Sequence, residues 1–468
     1  MTARMTPQQR LVVAIAVLGS FVAFLDGTVV NVALPAIARE LGGGLSTQQW
    51  TVDAYLVTLG ALILVAGAAS DAYGRILVLR IGLIGFGAAS LAVAAAPTIE
   101  LLIAARAVQG IAGAFLVPSS LALITSTMSD PARSRAIGLW TAMTTGAMIV
   151  GPLLGGVIVD HASWRWVFLI NVLPIGVALW LLTRLDVRDE RRAGARIDWW
   201  GATLCTAGLG LAVLALIELP TARGTAATPW LWAALAAGVV LFAAFVLRQR
   251  AAPHPLLPLD LFRSRTFSAG NLATLFIYAA LSLNGFVIAV YLQQGAGLSA
   301  TLAGLASLPT TILVIALSSR VGVLAGRFGP RLFMTVGPLV MATGCLLLLT
   351  VGARFDYWWQ ILPGMIVLGL GLALTVSPLT SAILGAADPE RSGIASAVNN
   401  AVARVAGLLS IASLAAITGG ALDLTGFHRS VWVTAALLVV GAVVSAIGVR
   451  NPPRSADARA SDDSPAAL

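Results

Sequence analysis

Long apolar runs separated by short polar loops dominate this chain. Fourteen stretches are long enough to cross a bilayer: 11–37, 49–69, 76–96, 101–124, 136–159, 165–184, 197–219, 229–248, 267–293, 300–323, 331–351, 358–384, 392–417 and 430–449. A spanning helix needs about 20 mainly apolar residues. In hydrocarbon every backbone polar group must find its partner inside the structure, so runs of this length are helices. The pattern predicts an all-α membrane protein with 14 transmembrane helices, and the lipid bilayer is its first partner. The opening MTARMTPQQR and the triplet Ala36-Ile37-Ala38 imitate a cleaved secretory signal. The run between them is roughly 26 residues, longer than the about 7–15 of a signal core, so it reads as an uncleaved first helix.

An even number of spans places both termini on one face. Of the arginines outside the spans, Arg39, Arg165, Arg223, Arg354 and Arg429 fall on one side and all the others on the side of the N-terminus. Positive loops stay in the cytoplasm, which predicts that both termini are cytoplasmic. Trp50, Trp164, Trp166, Trp199, Trp200, Trp230, Trp232, Trp358 and Trp359 lie near span ends, where interfacial aromatics collect.

Composition agrees with this layout. The chain is 58% hydrophobic and 10% charged, against about 45–50% and about 25% for soluble domains. The net charge of +9 comes from 29 basic residues. Basic patches can bind phosphate, but here the arginines mark cytoplasmic loops, so no nucleic-acid partner is expected. Cys205 and Cys345 lie in different apolar runs and the three His are ungrouped, which argues against a disulfide framework, a metal site or a cofactor. No GxxxxGKS phosphate loop is present, and the loops are too short for a catalytic or sensing domain. The reading at this point is a polytopic membrane protein that is neither an enzyme nor driven by ATP, and a monomer is the expected functional unit.

The two halves echo each other. DPARSRAIG at Asp130 recurs as DPERSGIAS at Asp388, and GAASDAYGR at Gly67 recurs more loosely as GVLAGRFGPR at Gly322. Such parallel repeats are a transporter design with the site between the halves. The expected organisation is a six-helix bundle over 1–185, two inserted helices over 186–250 and a cytoplasmic connector over 251–266 lying along the membrane. A second six-helix bundle over 267–450 and a disordered cytoplasmic tail over 451–468 complete it.

Five stretches carry a resemblance, one of them only in part. LDGTVVNVALP in span 1, LLIAARAVQGIAGA in span 4, AMIVGPLLGG in span 5 and SWRWVFLINVLP in span 6 resemble the major facilitator superfamily, in particular its fourteen-spanner drug:proton antiporters. GAASDAYGRI matches the family's loop after span 2 only in part, with Ala72 and Ile76 at positions that are basic in the family. The resemblance covers nearly the whole chain. It implies two bundles that rock about a central site, exporting amphipathic drugs or antibiotics, often cationic, in exchange for protons. Export of an endogenous metabolite, lipid precursor or self-made antibiotic would use the same motifs.

Asp26 is the leading coupling residue. A carboxylate at membrane depth costs about 2.5–3.5 kcal/mol on insertion scales. It lies about 22 Å into span 1 and Arg106 about 9 Å into span 4 from the opposite face, so both reach a similar depth. The expectation is contact between them, direct or through water or Asn31. Burial favours the neutral acid and a nearby cation favours the carboxylate. A distance that changes with conformation would therefore make Asp26 take up and release a proton.

Gly151, Pro152, Gly155 and Gly156 are expected to bend and closely seat span 5 as a gate. Asp71, Gly74 and Arg75 are expected in a turn where Asp71 caps a helix N-terminus of the other half. Asp53, Asn284, Asn399, Asn400, Arg404 and Glu218 are candidates for the central cavity, Glu218 with an interfacial position as the stronger reading.

Overall fold

The structure, a computed structural model, describes residues 5–128, 132–187, 189, 196–222, 224–388 and 391–451. The repeat residues Asp130 and Pro389, the loop arginines Arg188, Arg191, Arg192 and Arg223, and the tail beyond Asn451 lie outside them. Among the described residues fourteen helices are long and apolar enough to cross a membrane. They are α1 Pro7–Leu41, α2 Leu45–Tyr73, α3 Arg75–Ala94, α4 Ile99–Thr127, α5 Ala132–His161, α6 Trp164–Leu182 and α7 Trp199–Glu218. The chain continues with α8 Thr228–Ala251, α9 Arg265–Gln294, α10 Ala300–Phe328, α11 Pro330–Thr350, α12 Tyr357–Gly385, α13 Ser392–Ala412 and α14 Leu424–Gly448.

Short polar residues start these helices. Thr6 and Gln9 form a reciprocal capping box ahead of α1, so the helix begins before the apolar run does. Thr98, Ser264, Ser299 and Asp423 each accept a backbone N–H at the head of α4, α9, α10 and α14. Two spans are interrupted. α6 breaks at Ile170 and Asn171, because Pro174 has no N–H to offer the Ile170 carbonyl. α10 breaks at Ser307, just ahead of Pro309.

α4 packs on α2, α3 and α1, and α5 and α6 pack on α1. In the later part α12 packs on α11 and α10, while α14 packs on α9 and α11 and α13 packs on α9. α7 and α8 form a hairpin that rests on α2. The segment between α8 and α9 carries a 3₁₀ turn over Leu259–Arg263, with Leu256 and Leu261 buried. Its Asp260 pairs with Arg391, whose guanidinium holds the Asp260 carboxyl below the usual carboxylate range. The connector is thus tied to the loop before α13. Trp166, Trp199, Trp200, Trp230, Trp232, Trp358 and Trp359 are exposed, whereas Trp164 is buried and donates to Glu40 at 2.7 Å.

The α7–α8 hairpin is clasped by Asp198. Its carboxylate accepts from Gly201 N at 3.0 Å, from Arg248 Nη2 at 2.7 Å and from Gln249 Nε2 at 3.1 Å. Burial alone would push this carboxyl up, but Arg248, the Gly201 N–H and Gln249 outweigh it and hold it below its ordinary value. The stabilisation is therefore present above the ordinary carboxylate range and lost as pH falls through the lowered folded value. Arg248 is partly exposed, so water screens the pair. Asp198→Ala is expected to destabilise the hairpin by about 1–2 kcal/mol. Faster proteolysis of the 219–228 loop would show this, and an unchanged cleavage rate would refute it.

Candidate functional site

Two glycines and a proline assemble the buried polar centre. A Cβ at Gly110 would strike the Tyr55 carbonyl and Thr58, so the glycine allows α4 and α2 to touch. That approach presents the Thr51 carbonyl to Arg106 Nε at 3.0 Å. Gly113 similarly admits Leu59 and Phe86. The break ahead of Pro174 turns the Asn171 side chain into the same space.

Asp26 and Arg106 meet there, both fully buried. Arg106 Nη1 lies 2.5 Å from Asp26 Oδ2. Asp26 Oδ1 accepts from Gln109 Nε2 and from Asn171 Nδ2, each at 3.0 Å. Gln109 also accepts from Arg106 Nη1 at 2.7 Å and donates to Ser90 Oγ at 2.9 Å. The guanidinium lies over the Tyr55 ring, 4.4 Å from its centroid. The contact is direct, and Asn31 is not part of it: its Oδ1 is buried without a partner.

The sequence reading missed Gln109, Asn171 and Ser90. Gln109 stands three residues after Arg106 and so on the same helix face, which was visible in the sequence. Asn171 depends on the helix break, signalled only by Pro174. Ser90 gave no signal.

Asp53 is fully buried, and among the described residues neither carboxylate oxygen has a hydrogen-bond partner. Tyr55, two residues further along α2, holds its ring against Arg106, so Asp53 faces away from Arg106. It shares a face with Gly60, two turns on, whose Cβ position is 3.5 Å from Arg404 Cβ on α13. Asn399 Nδ2 donates to Thr274 Oγ1 at 2.8 Å, joining α13 to α9, and Asn400 bonds its own helix at Ser396. Asn284 Oδ1 is 3.9 Å from Cys345 Sγ, between α9 and α11. Glu218 accepts from Trp50 Nε1 at 2.8 Å, fastening α7 to α2 away from the Asp26 group.

Gly151 and Gly155 seat α5 on α1, against Thr28 and Val29. Gly156 faces α10, where a Cβ would lie 2.5 Å from the Ala300 carbonyl oxygen. α5 runs as one helix through Pro152, whose carbonyl abuts Gly304. About one turn beyond Gly156, Asp160 accepts from Ala300 N at 3.0 Å and from Thr301 N at 2.8 Å. Gln49 Nε2 donates to the Ile411 and Ala412 carbonyls at 2.5 and 3.0 Å, and Gln293 Nε2 to Val32 O at 3.1 Å. Among the described residues these are the hydrogen bonds joining α1–α6 to α9–α14. All lie toward the 41–45 and 161–164 loops, so the seam is closed at that end.

At the 67–76 turn, Gly74 has a left-handed φ of +103°. Asp71 does not cap a helix of the other half. It sits 3.7 Å from Arg75, and Asp189 caps α3 instead, accepting from Ile76 N at 3.1 Å and Leu77 N at 3.0 Å.

The Major Facilitator Superfamily profile matches residues 16–411. The chain is 34% identical over 406 residues to the methylenomycin A resistance protein of Bacillus subtilis, covering 86% of each. It is 32% identical to the tetracenomycin C resistance and export protein of Streptomyces glaucescens, covering 85% of this chain and 73% of that one. A D-xylose-proton symporter shares its fold, with a TM-score of 0.66 at 15% identity over 94% of this chain and 98% of the other. A POT family peptide transporter gives 0.69 at 16% identity over 96% and 98%. The chain belongs to the major facilitator superfamily and is a fourteen-span membrane transport protein.

Proposed function

We propose that the protein is a proton-coupled antiporter that exports small amphipathic drugs or antibiotics. It works as a monomer in the bacterial inner membrane, with both termini cytoplasmic. Residues 1–185 and 267–450 form two bundles that rock about the seam, with 186–250 inserted between them and 251–266 as connector. The buried Asp26–Arg106 pair, held by Gln109 and Asn171, is the observation that carries this reading. An ion pair at membrane depth is expensive to keep and marks proton or substrate pathways. Relatives named for antibiotic resistance and export support the same direction. The export protein among them favours one second reading, in which the cargo is made by the cell itself.

With the loop arginines inside, the closed end of the seam faces outward, and this shape takes substrate from the cytoplasm. Opening to the outside lets a proton reach Asp26 and replace Arg106 as its partner. Return to the inward shape restores the pair and releases the proton inside. Asp53, buried without a partner, is the second group at which a proton can reside. One pH unit supplies about 1.4 kcal/mol per proton, and each charge moved gains about 2.3 kcal/mol per 100 mV. Efflux of a dye panel from proteoliposomes tests the reading: with the membrane potential clamped at zero, collapse of the pH gradient should stop uphill export, and gradient-independent uphill efflux would overturn it.

Asp160 acts as an outer latch, since two charge-assisted bonds to the head of α10 hold α5 against it. Asp160→Ala should shift the population toward the outward-open shape. Cross-linking between cysteines at Gln49 and Ala412 would then slow about tenfold, the equivalent of one lost charged hydrogen bond. An unchanged rate would remove the latch.

A further inference from the structure

Arg404 is a charged side chain on the seam that neither the coupling scheme nor the Asp160 latch uses. It stands on α13, half-buried, about 18 Å along the helix from Ser392. Its guanidinium lies 5.6 Å from the ring centroid of Phe24 on α1, across the seam. Phe24 in turn meets Trp140 of α5 edge to face, with centroids 6.5 Å apart. The bonds that close the seam, from Gln49 to Ile411 and Ala412, lie two turns further along α13. Arg404 therefore sits just beneath the seal, on the open side of the pathway.

What it lacks is a counter-charge. Among the described residues no carboxylate comes within 4.0 Å of it and it donates no hydrogen bond. The acids nearest this seam are accounted for: Asp26 is taken by Arg106, and Asp53 on the facing helix is not among its partners. Arg106, by contrast, has a carboxylate partner in Asp26 and donates also to Gln109 and the Thr51 carbonyl, with its Nη2 left without a partner. An intramembrane arginine resting on an aromatic face alone is undercompensated, and its planar fork of donors matches a carboxylate.

We infer that Arg404 is the anion-recognising group of the substrate site, and that the cargo is an amphipathic organic acid. The ionised carboxylate or acidic phenol of the cargo pairs with the guanidinium, and its apolar body lies on Phe24 and Trp140. This specifies the substrate class of the exporter proposed above and departs from the cationic cargo that the family resemblance implies. It rests on that reading for the direction of transport, not for binding. Exchange of one monoanion outward for one proton inward moves two positive charges inward, so the membrane potential assists it.

Three probes with one pyrene body separate charge from shape: 1-pyrenebutyrate, its primary amide and the corresponding amine. Tryptophan-to-pyrene energy transfer reads their binding to the full chain in phosphatidylcholine nanodiscs, without a proton gradient. Pyrenebutyrate should bind about tenfold tighter than the amine, and Arg404→Gln should erase about tenfold of that affinity. The same substitution should leave the amide within about threefold, and Arg404→Lys should keep most of the acid's affinity. Equal weakening of all three probes, or none, would overturn the assignment. So would loss of pyrenebutyrate binding on adding phosphatidylglycerol, which would give the site to a lipid phosphate. Arg404-dependent binding without gradient-driven export would instead sink the antiporter reading and leave this one standing.

Discussion

Replacing Asp26 by Asn will abolish pH-gradient-driven export. Asn cannot carry a charge in one shape and a proton in the other, so no substrate movement remains tied to the gradient. The substitution also strands Arg106, whose charge is fully buried. Removing one member of a buried pair costs about 3–5 kcal/mol, whereas replacing both is often neutral or better. The single variant should therefore be both inactive and less stable. The double variant Asp26→Asn with Arg106→Gln should regain thermal stability yet stay inactive in uphill export. That divergence separates a coupling role from a static ion pair, which would lose stability and activity together and recover them together. Concentrative export by the double variant would end the role assigned to Asp26.

The second large effect is expected at Gly156. A Cβ there would lie 2.5 Å from the Ala300 carbonyl oxygen and 2.7 Å from Thr301 Cα. Both are backbone atoms, so no side-chain rotation relieves the clash. Gly156→Leu must hold α5 and α10 apart and favour the shape in which that end of the seam is open. Overpacking of this kind costs about 1–3 kcal/mol, enough to lower turnover by about tenfold or more. Gly138 on the same helix has nothing within 4 Å of its Cβ position, so Gly138→Leu should transport normally. Equal turnover in the two variants would contradict a gate at Gly156. Gly155→Leu makes a different prediction, because its neighbours are Val29 and Val32 of α1. It should reduce folded yield as well as turnover.

The number of the spans was legible in the sequence because hydrocarbon tolerates little besides long apolar helices; their limits were legible only to within about six residues, since capping residues such as Thr6 and Asp423 start helices ahead of the apolar run. The pairing of Asp26 with Arg106 was legible too, since depth in a membrane can be counted in residues. What surrounds that pair was only partly so. Gln109 follows from helix periodicity, but Asn171 enters only because Pro174 breaks α6. Cap partners were the least readable. Asp71 carried the family position, yet the N-terminus of α3 takes Asp189, and the head of α10 takes Asp160. Such bonds join residues more than a hundred positions apart and leave no period in the sequence. Asp53 and Arg404 were visible as charges at depth, but only the structure shows that, among the described residues, neither is in an ion pair or donates or accepts a side-chain hydrogen bond.

The most direct test of the account is difference infrared spectroscopy of the carboxylic-acid stretch. Protein locked outward-closed through cysteines at Gln49 and Ala412 would be compared with unlocked protein driven outward-open. The account predicts a protonated-carboxyl band that appears on opening and is missing in Asp26→Asn. A band that persists in Asp26→Asn and vanishes in Asp53→Asn would move the coupling to Asp53. No band change in the unmodified protein would contradict proton exchange at this centre altogether.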